Sequence, residues 1–367
     1  MLLTQIVPRL PPMIDGVGDY ALGLARGLRD GFQVETRFVV TDAAWDGGDR
    51  VEGFGVSRLG GRSVEELLGA LPRGETASAL VHYGGYAYAK RGCPAWLVRA
   101  LGHWREEAGG RRLLTFFHEL YAAGPPWTSS FWLSRRQRSL AARLARASDE
   151  SLTSLGLYAS RLRWMGARGA ESLPVFSSVG EPATTAPLAS RRRRLVVFGT
   201  RGRRAEVYRR SAGELNRVCR RLKIEEVWDI GREADSPAAR LLDVPVIYCG
   251  ETTAREVSEI LLDSVAGVID YPADMLGKST IFAAYCAHRV LPLVANRGQG
   301  GEADNLRAGT HYRLVEDSER LGLDAAQRLA DAAFDWYQTH TLSVHAGRLA
   351  NRLRRSGLPA EENLAYA

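Results

Sequence analysis

Four short segments of this 367-residue chain carry side chains whose types and spacing suit the handling of anions. The first, Asp15-Gly16-Val17-Gly18-Asp19-Tyr20-Ala21, satisfies G-x-G-x-x-A just ahead of a stretch with helical period. Glycines let a backbone approach a phosphate closely, and the N-terminus of a helix offers free N–H groups and a partial positive charge. A dinucleotide fingerprint and a purely structural turn both remain open. Against the fingerprint, about eight residues separate the preceding strand from Gly16, and the acidic ribose partner expected about 20 residues on is met only loosely by Asp42.

The second segment, Thr115-Phe-Phe-His118-Glu119, puts a histidine at the end of an apolar strand. There it can bind a hydroxyl or a developing charge, or merely hydrogen-bond locally. The third, Phe198-Gly199-Thr200-Arg201-Gly202-Arg203-Arg204, combines backbone freedom with guanidinium forks suited to bidentate phosphate contacts. In the fourth, Gly277-Lys278-Ser279-Thr280 resembles the end of a Walker A loop, but Pro272 stands where that motif needs its first glycine. The chain has three lysines, Lys90, Lys223 and Lys278, beside 46 arginines. A lysine at a strand-to-helix junction in so arginine-biased a sequence invites a functional reading, with Lys278, Ser279 and the helix N-terminus holding a diphosphate.

Elements that would position these loops follow from hydrophobic periodicity. Strands are expected at 2–7, 34–40, 79–82, 113–117 and 152–154, with helices at 17–28, 96–107 and 134–147. A Pro/Thr/Ala stretch at 180–190 interrupts the pattern. Strands at 194–198, 226–230, 244–248, 265–269 and 290–294 follow, with helices at 205–222, 279–287, 321–338 and 343–355. Strand and helix alternation predicts two parallel-sheet α/β units joined near residue 185, with ligands bound beyond the carboxyl ends of the strands.

Composition bounds the function classes. The chain is 45% hydrophobic and 25% charged, with a formal net charge of +7. It therefore reads as globular, with room for about two domains. Cys93, Cys219, Cys249 and Cys286 form no C-x-x-C pair, which argues against a structural zinc or redox motif. Without a signal-like N-terminus or a long apolar run, the expected location is cytoplasmic. Between Arg191 and Lys223 stand 13 basic residues and two acids, so the other 334 residues sum to −4. One basic segment fits a phosphate-bearing small ligand better than nucleic acid, and a solvated helix face is the plainer alternative. A second basic run, Arg135 to Arg146, has five arginines, no acid, and Leu140 and Leu144 at i, i+4. It reads first as a solvated face, with peripheral contact to an anionic membrane or a lipid-linked acceptor as the alternative.

The order of these features, and the stretches Asp15-Gly-Val-Gly-Asp-Tyr-Ala-Leu-Gly-Leu-Ala25, Thr115-Phe-Phe-His-Glu119, Pro174-Val-Phe-Ser-Ser-Val-Gly-Glu-Pro182 and Lys278-Ser-Thr-Ile-Phe-Ala-Ala-Tyr285, resemble the GT-B glycosyltransferases, specifically their family-4-like retaining group. The resemblance extends over nearly all of the chain. It implies an α/β GT-B fold with two Rossmann-like domains facing a central cleft. An acceptor domain is expected at 1–183, a donor domain at 190–340, and a C-terminal helix at 341–367 packing back on the first. The implied reaction, of the hexosyltransferase type, moves a sugar from a nucleoside-diphosphate sugar, UDP- or GDP-linked, to a small-molecule, glycan or lipid-linked acceptor, with retention and without metal or other cofactor. By position, His118 would lie near the transferred sugar, and Arg201 or Arg204 with Lys278 would bind the diphosphate. Gly16 and Gly18 would lie beside the donor phosphates, and Thr200, Asp274, Ser279 and Thr280 would complete the donor site. The chain departs from the family where a second, ribose-binding glutamate is usual: Asp274 falls at the first glutamate and Phe282 at the second. A catalytically silent binding protein and an NAD(P)-dependent oxidoreductase are the competing readings.

Overall fold

A computed structural model describes residues 1–354 except 14, 123, 233–236 and 300–302. Residues 355–367, the end of the expected C-terminal segment, lie outside the described residues. The described residues form two units, Met1–Leu173 with Leu342–Arg354, and Pro174–Thr341.

The first unit runs β1 (Leu2–Val7), α1 (Gly16–Phe32), β2 (Glu35–Val40), β3 (Arg50–Val51), β4 (Phe54–Arg58), α2 (Val64–Ala70), β5 (Ser78–Tyr83), α3 (Gly85–Tyr88), α4 (Ala95–Glu106), β6 (Arg112–Phe117), α5 (Ser129–Ala147), β7 (Glu150–Thr153), α6 (Gly156–Trp164) and β8 (Glu171–Ser172). Its sheet has the order β3-β4-β2-β1-β5-β6-β7-β8, parallel except for the β3/β4 hairpin. Starting at β1, the chain winds outward through β2 and β4, then returns to lay β5 on the other side of β1. The strand order thus reverses between β1 and β5, the kind of position beyond whose carboxyl ends open α/β sheets bind ligands.

The second unit runs β9 (Arg192–Phe198), α7 (Arg201–Leu222), β10 (Glu226–Ile230), β11 (Val246–Gly250), α8 (Ala254–Leu262), β12 (Ser264–Pro272), α9 (Thr280–Ala287), β13 (Leu291–Asn296), β14 (Arg313–Leu314) and α10 (Leu323–Tyr337). Its six strands, all parallel, have the order β11-β10-β9-β12-β13-β14. Here the reversal falls between β9 and β12. The alternation in the sequence predicts two parallel α/β units, and the structure contains them. The last helix, α11 (Leu342–Arg354), belongs to the first unit, where Leu342 and Ala346 lie against Gly27 of α1.

Much of the basic segment at 191–223 is consumed by the fold. Arg191 is buried and donates to the carbonyls of Ala186 and Ser264. Arg194 is buried between Glu226, 2.8 Å away, and the ring of Trp228, 3.7 Å from its guanidinium carbon. Farther along, Glu206 pairs with Arg209 and Arg210, whose hydrogen bonds hold its carboxyl down at about 2.

Candidate functional site

In the second unit, β9 ends at Phe198 and the chain turns at Gly199, whose φ of 141° favours glycine. Thr200 is the N-cap of α7, yet its side chain makes no capping bond. Arg204 N donates to the Thr200 carbonyl. The N–H groups at the head of α7 precede that bond and open on an exposed surface formed by Thr200, Arg201, Gly202 and Arg203. This is the local arrangement that binds an anion.

The neighbouring strand β12 runs into a 3₁₀ turn, Ala273–Lys278, and then into α9. Lys278 closes the turn, and Ser279 is the α9 N-cap, its hydroxyl accepting from Phe282 N at 3.1 Å. Thr280 is the first residue of α9 and is half-buried. Arg203 joins the two loops, donating to the Asp270 carbonyl at 3.3 Å while its guanidinium lies 5.1 Å from the Tyr271 ring centroid. Asp274 Oδ1 is buried beside Gly298, on which a Cβ would lie 2.1 Å away, and has no hydrogen-bond partner among the described residues. A buried acceptor left unpaired costs about 1 to 3 kcal/mol, which a ligand hydroxyl could recover.

Arg204 occupies a different place from Arg201 and Arg203. It is 4% exposed, forms an ion pair with Asp229, and donates to the Gly199 carbonyl at 3.0 Å and the Arg232 carbonyl at 2.5 Å. Tyr208 donates to the other Asp229 oxygen at 2.7 Å. The guanidinium thus ties the β9 turn to the end of β10, and shapes the loop from behind.

In the first unit, Asp15 caps α1 by accepting from Val17 N at 3.0 Å. Partial burial raises Asp15, and loss of solvation with the adjacent Asp15 charge pushes Asp19 up to about 6. The two glycines of this loop differ. A Cβ on Gly18 would lie 2.2 Å from the Arg9 carbonyl oxygen, so close backbone packing requires glycine there, whereas Gly16 faces open space.

His118 follows β6 directly, and its backbone N–H donates to the Tyr83 carbonyl at 2.9 Å. Its Nε2 lies 3.2 Å from Nδ1 of His82, and Nε2 of His82 lies 2.7 Å from Oε1 of Gln5. His82 is fully buried, and burial pulls it down to about 3, so the ring is neutral at pH 7. With the Gln5 oxygen accepting from His82 Nε2–H, His82 Nδ1 must be an acceptor. His118 Nε2 is then the donor, and its Nδ1 carries the lone pair in the neutral ring. Tyr20 packs edge-on to His118 with centroids 5.1 Å apart, and its hydroxyl lies 2.8 Å from Nδ1 of His345 on α11. Beside His118 is a small cavity lined by Tyr86, Glu119, Tyr121, Gln137 and Tyr158.

No protein-family model and no curated protein sequence matches the chain. Solved structures do. The pneumococcal O-GlcNAc transferase GtfA, in complex with UDP and GlcNAc, aligns over 97% of this chain and 99% of its own at TM-score 0.63 and 8% identity. The lipopolysaccharide outer core galactosyltransferase WaaB aligns over 98% and 100% at TM-score 0.61 and 11% identity. An α,α-trehalose 6-phosphate synthase from Burkholderia multivorans aligns over 96% and 98% at TM-score 0.60 and 12% identity. The fold is GT-B. Identities this low establish the fold alone.

Within this GT-B fold the residues singled out from sequence fall into two groups. Thr200, Arg201, Arg204, Asp274, Lys278, Ser279 and Thr280 gather at the β9/β12 reversal of the second unit. Gly16, Gly18 and His118 lie at the carboxyl ends of β1 and β6 in the first. Phe282, which the resemblance to the family-4-like group would set at its second glutamate, is wholly buried against Tyr312 and Trp336. Gln5, His82, Tyr20 and His345 escape the sequence reading. For Gln5 and His82 the signal is a polar residue interrupting the apolar strands β1 and β5, whereas Tyr20 and His345 lie on helices and carry no such signal. Among the described residues, no group of three or more His, Cys, Asp or Glu is placed to hold a metal.

Proposed function

We propose that this protein is a glycosyltransferase that takes a sugar from a nucleoside-diphosphate sugar held by the second unit and transfers it, with retention, to a hydroxyl-bearing acceptor bound by the first. The observation that carries the reading is the pairing of the β9–α7 and β12–α9 loops across the strand reversal. There an uncapped helix N-terminus, Arg201, Arg203 and Lys278 supply positive charge, and Asp274 supplies a waiting acceptor. Solved GT-B structures holding UDP support this ligand class.

In transfer, the bond between the anomeric carbon and the β-phosphate oxygen breaks, and charge builds on the departing diphosphate. Preorganised cations stabilise that change more than the ground state, which lowers the barrier. Arg201, Arg203 and Lys278 act on the phosphates, with Thr200, Ser279 and Thr280 around them. Asp274 Oδ1 accepts a hydroxyl of the donor. Arg204 holds the β9 turn in shape. The acceptor proton passes to the leaving phosphate oxygen on the same face of the sugar, so no protein nucleophile takes part. His118, with Nδ1 as acceptor, orients a hydroxyl of the transferred sugar, and the Tyr86/Tyr121/Tyr158 cavity with Glu119 receives the acceptor.

An NAD(P) oxidoreductase is disfavoured by Gly18, whose missing side chain is accounted for by the Arg9 carbonyl. The test is release of nucleoside diphosphate from UDP-, GDP- and ADP-sugars with a panel of sugar and glycolipid acceptors. Acceptor-dependent release from one donor, lost at least a hundredfold in Lys278→Ala, supports the reading. Failure of every donor, or full turnover by that variant, overturns it.

A further inference from the structure

Five of the ten large hydrophobic residues exposed among the described residues fall between residues 127 and 164: Trp127 at 84% exposure, Phe131 at 43%, Trp132 at 73%, Leu157 at 57% and Trp164 at 78%. Leu140 and Leu144, the apolar pair that the sequence offers on α5, are buried in the core, so the apolar part of this surface comes from elsewhere. It comes from the loop before α5, the first turn of α5, and α6.

The same surface is basic. Residues 127–168 contain eight arginines and two acids, Asp149 and Glu150. Asp149 is held by Arg105 at 2.8 Å, and Glu150 lies 3.4 Å from Arg352, so both acids are already paired. On α5, Arg135, Arg136 and Arg143 are exposed and pair with no acid among the described residues. Arg138 of α5 and Arg161 of α6 both stack on Tyr121, at 4.9 and 5.9 Å from its ring centroid, which makes the two helices neighbours.

We infer that the α5/α6 face, Trp127, Phe131, Trp132, Leu157 and Trp164 with Arg135, Arg136 and Arg143, docks on the surface of an anionic phospholipid bilayer. Trp rings are stable at headgroup depth, with an apolar body in the acyl boundary and an N–H in water. Arginines around them meet the negative surface potential. No helix among the described residues is long and apolar enough to cross a membrane, so the contact is peripheral. Exposure of three indoles to water on these neighbouring elements has no structural account without a covering partner, and the surplus of unpaired arginine selects an anionic one. The inference is independent of the proposed transferase activity.

The full chain is sedimented with vesicles of phosphatidylcholine alone and of equimolar phosphatidylcholine and phosphatidylglycerol. Binding to the anionic vesicles is expected, weakened at least tenfold by 0.5 M salt, by Trp127→Ser/Trp132→Ser and, separately, by Arg135→Glu/Arg136→Glu/Arg143→Glu. The arginine variant keeps the test open if the tryptophan variant fails to fold. Equal binding to neutral vesicles, no binding to anionic ones, or unchanged binding by both folded variants overturns the inference. So does a concentration-dependent dimer, or binding of a single-stranded oligonucleotide, that both variants abolish while vesicle binding is absent.

Discussion

His82 Nδ1 lies 3.2 Å from His118 Nε2, and the far nitrogen of His82 is held by the Gln5 amide oxygen, which fixes the tautomer of His118 from two residues away. Gln5→Leu removes the acceptor and frees His82 to reverse its proton. Nitrogen NMR of His118 is expected to show the protonated nitrogen move from Nε2 toward Nδ1. Turnover should fall about tenfold with little change in nucleotide affinity, about the worth of one hydrogen bond. His118→Ala should cost more than Gln5→Leu. A Gln5 variant with unchanged NMR shifts would show that the relay does not set the tautomer.

Acid should destabilise the fold through its buried histidines. His82 is pulled to about 3 and His288 to about 4, each by burial, against an ordinary value of 6.5. Between those values the unfolded chain binds more protons, so their contribution is fully present above about pH 6.5 and is lost as the pH falls toward 4. Thermal midpoints measured from pH 7.5 to 4.5 should decline, and more gently in His288→Gln. An equal slope in that variant would contradict the assignment.

Arginines of the β9–α7 loop should separate cleanly by role. Removing Arg204 leaves Asp229 buried and unpaired, so Arg204→Met should lose about 3 to 5 kcal/mol of stability. Arg203, half-exposed, should cost little stability in Arg203→Ala yet weaken diphosphate binding several-fold. Denaturant titration and calorimetry on both variants read the two effects separately. Equal stability losses would mean that the inward and outward arginines are misassigned.

The glycines of the α1 loop make a similar pair. Gly18→Ala drives a methyl into the Arg9 carbonyl and should destabilise by about 1 to 3 kcal/mol. Gly16→Ala meets nothing and should be close to neutral. If the two variants unfold at the same temperature, the close approach at Gly18 is not what requires glycine.

The sequence made the strand-to-helix loops legible because hydrophobic period marks both the strand ends and the helix starts. Lys278 and His118 stood out for the same reason. Arg204 was also within reach: it shares the inward period of Val207, Tyr208, Ser211 and Leu215, so helical phase alone distinguishes it from Arg201 and Arg203. The helix expected at 134–147 begins at Ser129, five residues earlier, and that added turn exposes Phe131 and Trp132. Gln5 and His82 were beyond reach, being 77 positions apart and joined only by adjacent parallel strands. Nothing local marks such a pair, nor tells an exposed tryptophan from a buried one.

The central claim is that a nucleoside diphosphate binds the paired loops of the second unit. The most direct measurement is calorimetric titration of UDP, GDP and ADP into the full chain and into Arg201→Ala and Lys278→Ala. One diphosphate is expected to bind, with affinity at least tenfold weaker in each variant and unchanged in His118→Ala. Absence of binding by all three nucleotides, or undiminished binding by Lys278→Ala, would contradict the account.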